Sequence, residues 1–173
     1  MKIAYKDLSR IRKENLTKRI VFCDGTFDLL HLAHIEHLQT ISSYGEILVV
    51  GVMSDDWVKT KKGDDRPILS QEERFEMLDA IKYVDYTFIL YDDARHQRIK
   101  TSEALRALRP DIFITTDSIW YERTKEFQKE KIEIRIVPPT PSATLMSTSK
   151  IIEKILSSLE KRGIHKSSNG ACV

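Results

Sequence analysis

Two histidines that follow a glycine turn are the first residues of this sequence whose types and spacing suit chemistry. They lie in FCDGTFDLLHLAHIEHL, residues 22–38, where Gly25 follows an apolar run and His31 and His34 come shortly after. Glycine permits a tight turn and a close approach of the backbone to a ligand. A helix that begins near His31 offers free N–H groups to a phosphate, and residues three apart share one side of it. The pattern predicts that both histidines donate to phosphate oxygens.

A third histidine, His37, continues the same spacing. It lies a turn deeper and is rotated further around the predicted helix, so we interpret it as a residue outside the site. The alternative is a zinc site made of the three histidines and Cys23. Histidines at this helical spacing splay rather than converge on one tetrahedral ion, which disfavours that alternative.

Composition and charge restrict the class of protein. The chain has 173 residues, of which 41% are hydrophobic and 31% charged, a mixture typical of one soluble domain with a core. The 28 basic and 26 acidic residues leave a net charge of +2, which does not predict a nucleic-acid partner. We find no apolar run long enough for a membrane span. Cys23 and Cys172 do not indicate a disulfide framework, so we expect a reducing cytoplasm.

The elements that must position the histidines alternate between strand and helix. Short β-branched runs predict strands at residues 19–24, 46–52, 86–91, 111–115 and 132–137. Helices are predicted near residues 31–43, 70–82, 98–108, 120–129 and 148–161. One helix start is marked by a capping box, Ser70 with Glu73. The alternation predicts an α/β fold, a Rossmann-like open parallel five-stranded sheet with helices on both faces.

The predicted domain covers residues 19–162, preceded by an N-terminal helical arm at 1–18 and followed by a flexible tail at 163–173. Ligands of such sheets bind outside the carboxyl ends of the strands, near the point where the strand order reverses. The glycine turn leaves the first strand at that edge. We therefore expect the chemistry there.

Four blocks in order, spanning about residues 19–155, resemble the cytidylyltransferase-like nucleotidyltransferase family. GTFDLLHLAH is similar to the family signature G-T-F-D-x-x-H-x-G-H. GVMSDDWVKTKKGDDRPILSQEERFEML, RPDIFITTDS and MSTSKII resemble the later blocks. The opening and the KGDDRPI stretch are most similar to heptose-phosphate adenylyltransferases, and PDIF…TD is similar to glycerol-3-phosphate cytidylyltransferases.

The resemblance implies that a phosphorylated acceptor attacks the α-phosphorus of a nucleoside triphosphate in line and releases pyrophosphate. The nucleotide is expected to be CTP, with ATP as the alternative, and the acceptor a small phosphorylated polyol, alcohol or sugar. Mg²⁺ is expected on the phosphates rather than at a dedicated protein site. Family members are commonly homodimers, so we expect a homodimer.

Site residues follow from the same resemblance. Catalytic roles are implied for His31, His34 and Lys62. Nucleotide contacts are implied for Gly25, Thr26, Phe27, Lys61, Asp117, Ser147, Thr148 and Ser149. Contacts with the acceptor or a bridging metal are expected at Asp28, Asp55 and Arg66.

Three of these predictions have simpler alternatives. The lysines at 59–62 are read as a loop, in which lysines are usually solvated, although a loop lysine can also swing towards a leaving pyrophosphate. Ser147 to Ser149 can cap a helix, contact phosphates or do both. Asp117 can be a turn former. Arg74 is a weaker candidate for a phosphate contact, and pairing with Glu72 or Asp79 is its simpler alternative.

Two departures from the family pattern affect the substrates. Ala33 stands where the signature usually has glycine, and its methyl group could crowd a nucleotide ring. PPTPSATLMSTSK contains no arginine where the family's final block often has one. ITTDS also replaces the family's usual residues near the base and the acceptor. A degenerate nucleotide-binding or regulatory module is the alternative outside enzymes.

Overall fold

A five-stranded, all-parallel sheet forms the centre of the protein. The computed structural model describes residues 1–92 and 97–162. The strands of this sheet are β1 (Ile20–Gly25), β2 (Ile47–Val52), β3 (Tyr86–Ile89), β6 (Ile112–Thr115) and β7 (Glu133–Ile136). A short antiparallel pair, β4 (Tyr91–Asp92) and β5 (Gln97–Arg98), lies outside it. The predicted tail at 163–173 lies outside the described residues.

The sheet order is β3-β2-β1-β6-β7, so the order reverses between β1 and β6. β1 is paired along its whole length with β2, from Ile20 opposite Ile47 to Gly25 opposite Val52. Both strands are almost entirely apolar because both faces of the sheet are covered. The crevice expected for a ligand is therefore at the carboxyl end of β1.

Helices pack on both faces of this sheet, which confirms the predicted fold class. They are α1 (Leu8–Glu14), α2 (Leu32–Ser42), α3 (Asp55–Lys62), α4 (Gln71–Asp79), α5 (Thr101–Leu108), α6 (Thr124–Lys129), α7 (Pro141–Leu145) and α8 (Thr148–Lys161). One buried cluster contains Phe22 of β1 and side chains of α1, α5 and α6. The other contains Val21 and Cys23 with side chains of α2 and α4. Alternate residues of β1 thus serve opposite cores.

Several predicted boundaries differ from the structure. The run 86–91 is interrupted, because β3 ends at Ile89 and Tyr91 begins the short antiparallel pair. The predicted helix at 120–129 is a 3₁₀ turn, Ser118–Tyr121, followed by α6. Helix α1 lies within the predicted N-terminal arm, and its Leu8 and Ile11 are fully buried in the core.

No helix in the described part of the chain is long and apolar enough to cross a membrane.

Candidate functional site

A cleft of about 570 Å³ opens where the strand order reverses. Its walls come from residues 24–28 after β1, the first turns of α2, the end of α3 with Arg66, and the segment from Pro139 to Ser149. Residues far apart in sequence therefore meet at one edge of the sheet. This is the edge that the strand–helix alternation predicts.

The turn after β1 has an unusual backbone. A Cβ on Gly25 would lie 2.9 Å from Cε2 of Phe27, so a larger residue there would force the Phe27 ring to shift. Phe27 and Leu29 have φ values of 53° and 47°, in the left-handed region that residues with a side chain rarely adopt. Such backbone persists when the surroundings determine it, and it is concentrated at binding sites.

Asp28 holds this turn in place. Its buried carboxylate accepts a hydrogen bond from Arg66 Nε at 2.9 Å and from the backbone N–H groups of Ile68 and Leu69, each at 3.0 Å. Burial by itself raises the pKa of Asp28, but these hydrogen bonds outweigh it and hold the pKa below its ordinary value. Thr148 Oγ1 donates to the Asp28 carbonyl.

Asp28 and Arg66 were expected to contact the acceptor or a bridging metal. Both line the cleft, but each charge is already compensated by the other. Their observed contacts join the β1–α2 turn to the segment before α4. These contacts give both residues a positioning role, and their contact with the acceptor or a metal stays a prediction.

His31 and His34 stack on each other at the entrance to α2. Their ring centroids are 3.8 Å apart at an interplanar angle of 21°. His31 is the N-cap of the helix, close to the predicted start. The Nδ1 atoms of both rings are buried and have no hydrogen-bond partner among the described residues. Two unsatisfied nitrogens side by side suit an anion with several oxygens.

Burial sets the protonation of this pair. It lowers the pKa of His34 to about 3, with further contributions from His31, His37 and Lys62. Burial also lowers the pKa of His31. His37 lines the cleft as well, although we interpreted it as lying outside the site. The imidazole rings of His31 and His34 are therefore neutral at pH 7 in the free protein.

The lysine segment is helical, which corrects the expected loop. Lys59 to Lys62 form the last turn of α3, and Gly63 ends the helix with φ of 95°. Lys62 lines the cleft, whereas Lys61 does not. Partial burial lowers the pKa of Lys62, and the positive charge of Arg66 lowers it further. The expected swinging loop is therefore wrong, and Lys62 sits on a fixed helix end beside the cleft.

The start of α8 forms the opposite wall. Ser147 is the N-cap, and its side chain accepts a hydrogen bond from Lys150 N at 3.3 Å, which confirms the predicted helix start. Ser147, Thr148 and Ser149 all line the cleft. Capping is thus observed, and the free N–H groups of the first turn remain suited to an anion.

Three neighbouring residues lie outside the cleft lining, and the expected ligand contacts of Asp55 and Asp117 stay predictions. Asp55 accepts a 2.6 Å bond from Arg74 and is not among the residues lining the cleft. Asp117 also lies outside the cleft lining; its side chain accepts from Ile119 N, as a turn former does. Arg74 pairs with neither Glu72 nor Asp79.

Arg74 is instead fully buried and holds the base of the cleft. Besides Asp55, it donates to the carbonyls of Leu69, Thr26 and Met53. Thr26 belongs to the turn after β1, and Met53 follows β2. One guanidinium therefore ties together the ends of two neighbouring strands.

The cleft residues that the sequence reasoning did not single out include Thr116, Thr140, Ala143 and Met146. Three come from the stretch without arginine, which forms α7 and packs against α2. Thr140 Oγ1 is buried without a partner among the described residues, so this segment brings a free hydroxyl to the cleft. The TPS sequence, with proline at the first helical position, was a readable sign of this short helix.

Asp24 is a further cleft residue that the sequence reasoning did not single out. It lies just before Gly25 and accepts a hydrogen bond from Thr101 Oγ1. Burial raises the pKa of its carboxyl to about 6, and the nearby Asp117 adds to this. A carboxylate inside an apolar strand run was the available signal.

No group of three or more histidine, cysteine or acidic side chains is placed to hold a metal ion in the described ranges. The zinc alternative therefore has no support from the geometry.

The fold is an open parallel α/β domain whose cleft lies at the carboxyl edge of the sheet, beside the start of α2. The sequence matches the family described as Cytidylyltransferase-like over residues 22–154. The chain belongs to this family of nucleotidyltransferases.

Among curated proteins, the chain is similar to Bifunctional protein HldE from several bacteria. The chain is 36% identical over 149 residues to Bifunctional protein HldE of Citrifermentans bemidjiense, covering 85% of this chain and 29% of that protein. It is 35% identical over 144 residues to Bifunctional protein HldE of Geobacter sulfurreducens, covering 80% of this chain and 27% of that protein. The chain thus spans less than a third of the length of these relatives.

Solved structures share the fold. The lipopolysaccharide core biosynthesis protein from Thermoplasma volcanium aligns with a TM-score of 0.57 and 25% identity, covering 71% of this chain and 97% of that one. A pantoate-beta-alanine ligase from Francisella tularensis aligns with a TM-score of 0.57 at 16% identity, covering 92% and 80%. The second likeness concerns the fold alone.

Proposed function

We propose that the protein transfers a nucleotidyl group from a nucleoside triphosphate to a small phosphorylated acceptor and releases pyrophosphate. The observation that carries this proposal is the pair of stacked histidines with unsatisfied Nδ1 atoms. They face the same cleft as the β1–α2 turn and the start of α8. Three anion-binding features around one cleft suit a triphosphate better than a single phosphate.

The reaction needs no covalent bond to the protein. An oxygen of the acceptor phosphate forms a bond to the α-phosphorus while the bond from the α-phosphorus to the bridging oxygen breaks. The electron pair of that bond leaves with pyrophosphate. The protein then contributes orientation and charge stabilisation, which dominate phosphoryl-type transfers.

His31 and His34 have the central role in this proposal. A polyanion close to the rings opposes the effect of burial and raises the pKa of both imidazoles. The pair therefore takes up protons as the nucleotide binds and donates hydrogen bonds to the oxygens around the α-phosphorus. Lys62, at the end of α3, balances charge on the leaving pyrophosphate. Mg²⁺ on the triphosphate would neutralise further charge there.

CTP is our first candidate for the nucleotide, with a phosphorylated polyol or sugar as the acceptor. ATP is the second candidate. Two similarities favour ATP. The chain is similar to Bifunctional protein HldE over 80–85% of its length, and the KGDDRPI stretch resembles heptose-phosphate adenylyltransferases. The two candidates predict the same chemistry at the α-phosphorus.

A pyrophosphate-release assay with CTP and with ATP, each against a panel of phosphorylated alcohols and sugars, tests the proposal. We expect release with one nucleotide and a narrow set of acceptors. Lys62→Ala should lower turnover, whereas Lys59→Ala, an exposed lysine of the same helix, should not. Measurable nucleotide binding without release from any pair would instead support the regulatory module.

A further inference from the structure

A second cleft, of about 290 Å³, opens at the carboxyl end of the sheet. It is lined by Met53 after β2, by Thr101 and Ser102 at the start of α5, and by Trp120 after β6. Trp57 and Ile119 form its apolar sides, and Ile119 is 64% exposed. None of the nucleotide-cleft features described above lies within it.

Among the described residues, the charged side chains that line this cleft are all basic. Arg98, Lys100 and Arg123 line it, and no acidic side chain does so in the described ranges. Arg123 is fixed against the Trp120 ring, 4.9 Å from its centroid, and is bonded to Glu126. Arg98 and Lys100 are exposed, and neither forms an ion pair with any residue that the structure describes. We call this lining the basic cleft.

The start of α5 adds an independent sign of a ligand. Lys100 is the N-cap residue and makes no side-chain capping bond, so the first N–H groups of the helix are open. Ser102, the second residue of the helix, is 8% exposed and lines the cleft. Its hydroxyl has no hydrogen-bond partner among the described residues. This hydroxyl is therefore available to donate a hydrogen bond to an anion in the cleft.

The basic cleft adjoins the nucleotide cleft. Thr101 of the basic cleft donates a hydrogen bond to Asp24, which lines the nucleotide cleft. The two clefts are therefore neighbours at the same edge of the sheet, as an acceptor that reaches both requires.

We propose that the basic cleft binds a second anionic group of the acceptor, a carboxylate or a phosphate. This group lies at the end of the acceptor remote from the phosphate that attacks the nucleotide. The acceptor is then a small molecule with one reacting phosphate and one further acidic group, and its carbon skeleton packs against Trp57 and Ile119. This inference rests on the proposed function and narrows its substrate class.

Matched pairs of acceptors test the proposal. Glycerol 3-phosphate and 3-phosphoglycerate differ in the remote group, as do glucose 1-phosphate and glucose 1,6-bisphosphate. With the preferred nucleotide, we expect kcat/KM to be at least about tenfold higher for the acidic member of one pair, as charge-assisted hydrogen bonds allow. Equal values within both pairs would overturn the proposal.

Two variants test whether the basic cleft produces the preference for the acidic acceptor. The double substitution Arg98→Ala with Lys100→Ala should remove it while leaving the KM for the nucleotide unchanged. Arg106→Ala is the matched control, because Arg106 lies on α5 but pairs with Glu126 and Glu130 instead of lining the cleft. A preference that survives the double substitution would show that the acid is recognised elsewhere.

Calorimetry separates this proposal from the proposed function. If no acceptor supports pyrophosphate release, binding of 3-phosphoglycerate and of inorganic phosphate is measured directly. Binding of 3-phosphoglycerate that Ser102→Ala and the double substitution weaken would support the basic cleft even though the reaction failed. The proposal would be overturned if 3-phosphoglycerate did not bind. It would also be overturned if inorganic phosphate bound to the basic cleft without competing with 3-phosphoglycerate.

Discussion

The hydroxyl of Thr101 donates a hydrogen bond to the carboxylate of Asp24 and so links the first residue of α5 to the end of β1. Asp24 lines the nucleotide cleft and Thr101 the basic cleft. Their bond is thus part of the wall that the two clefts share. Neither residue stood out in the sequence, because they are 77 positions apart.

Replacing Asp24 tests how much its buried carboxyl lowers the free energy of unfolding. Its pKa is raised from 3.8 to about 6, so between these pH values the folded protein retains a proton that the unfolded chain has lost. The free energy of unfolding therefore falls as the pH rises through this window, and above it the loss is complete. Asp24→Asn should be more stable than the wild type at pH 7 by on the order of 2 kcal/mol.

Urea unfolding at several pH values measures this difference. The advantage of the variant should be small near pH 4, grow up to about pH 6 and then stay constant. Asp56→Asn, an exposed carboxyl at the start of α3, is the control and should show no such trend. An advantage that does not change with pH would contradict the raised pKa.

His34→Ala should lower kcat by about 10²–10³-fold, because it removes a donor aimed at developing charge. The fold should survive, since the residue lies at the start of α2 and outside both buried clusters. Pyrophosphate release gives the rate, and circular dichroism checks the fold. Near-normal turnover in a folded variant would remove His34 from the mechanism.

Arg74→Met should destabilise the protein by about 3–5 kcal/mol, the range for a buried ion pair that loses one partner. Three backbone carbonyls and Asp55 lose their donor at the same time. The midpoint of thermal unfolding measures the effect. Arg10→Ala, on an exposed helix surface, should leave that midpoint almost unchanged.

Ala33 tests how closely the nucleotide approaches α2. The residue is 5% exposed and lines the nucleotide cleft, where the family signature usually has glycine. Ala33→Val should raise the KM for the nucleotide because its two added methyl groups enter the cleft. Leu32→Val, at the adjacent exposed position, is the control. An unchanged KM in Ala33→Val would show that the nucleotide lies away from this helix.

Local signals predicted much of the architecture. The capping box at Ser70 and Glu73 and the N-cap Ser147 were readable because each depends on residues three apart or fewer. The stacked pair of His31 and His34 follows from helical spacing. The helix that contains the lysines also has a local signal, because Ser54 followed by Asp55 and Asp56 is typical of a helix start.

Other features depend on contacts that sequence patterns do not carry. Arg74 looked like a surface residue of an amphipathic helix, and only the fold brings the carbonyls of Thr26 and Met53 to it. The basic cleft likewise joins residues after β2, β5 and β6. Charge in one sequence segment does not predict which distant segment lies opposite.

The hydrogen bonds of Asp28 have a consequence for the motions of the cleft. Its side chain holds the amides of Ile68 and Leu69, and its carbonyl accepts from Thr148 at the start of α8. Three walls of the nucleotide cleft thus depend on one residue, so they should open as a single cooperative unit. In native-state hydrogen exchange, the amides of Ile68 and Leu69 should share one opening free energy with those of Lys150 and Ile151, which are hydrogen-bonded to Ser147. Asp28→Asn should lower that opening free energy for all of them together.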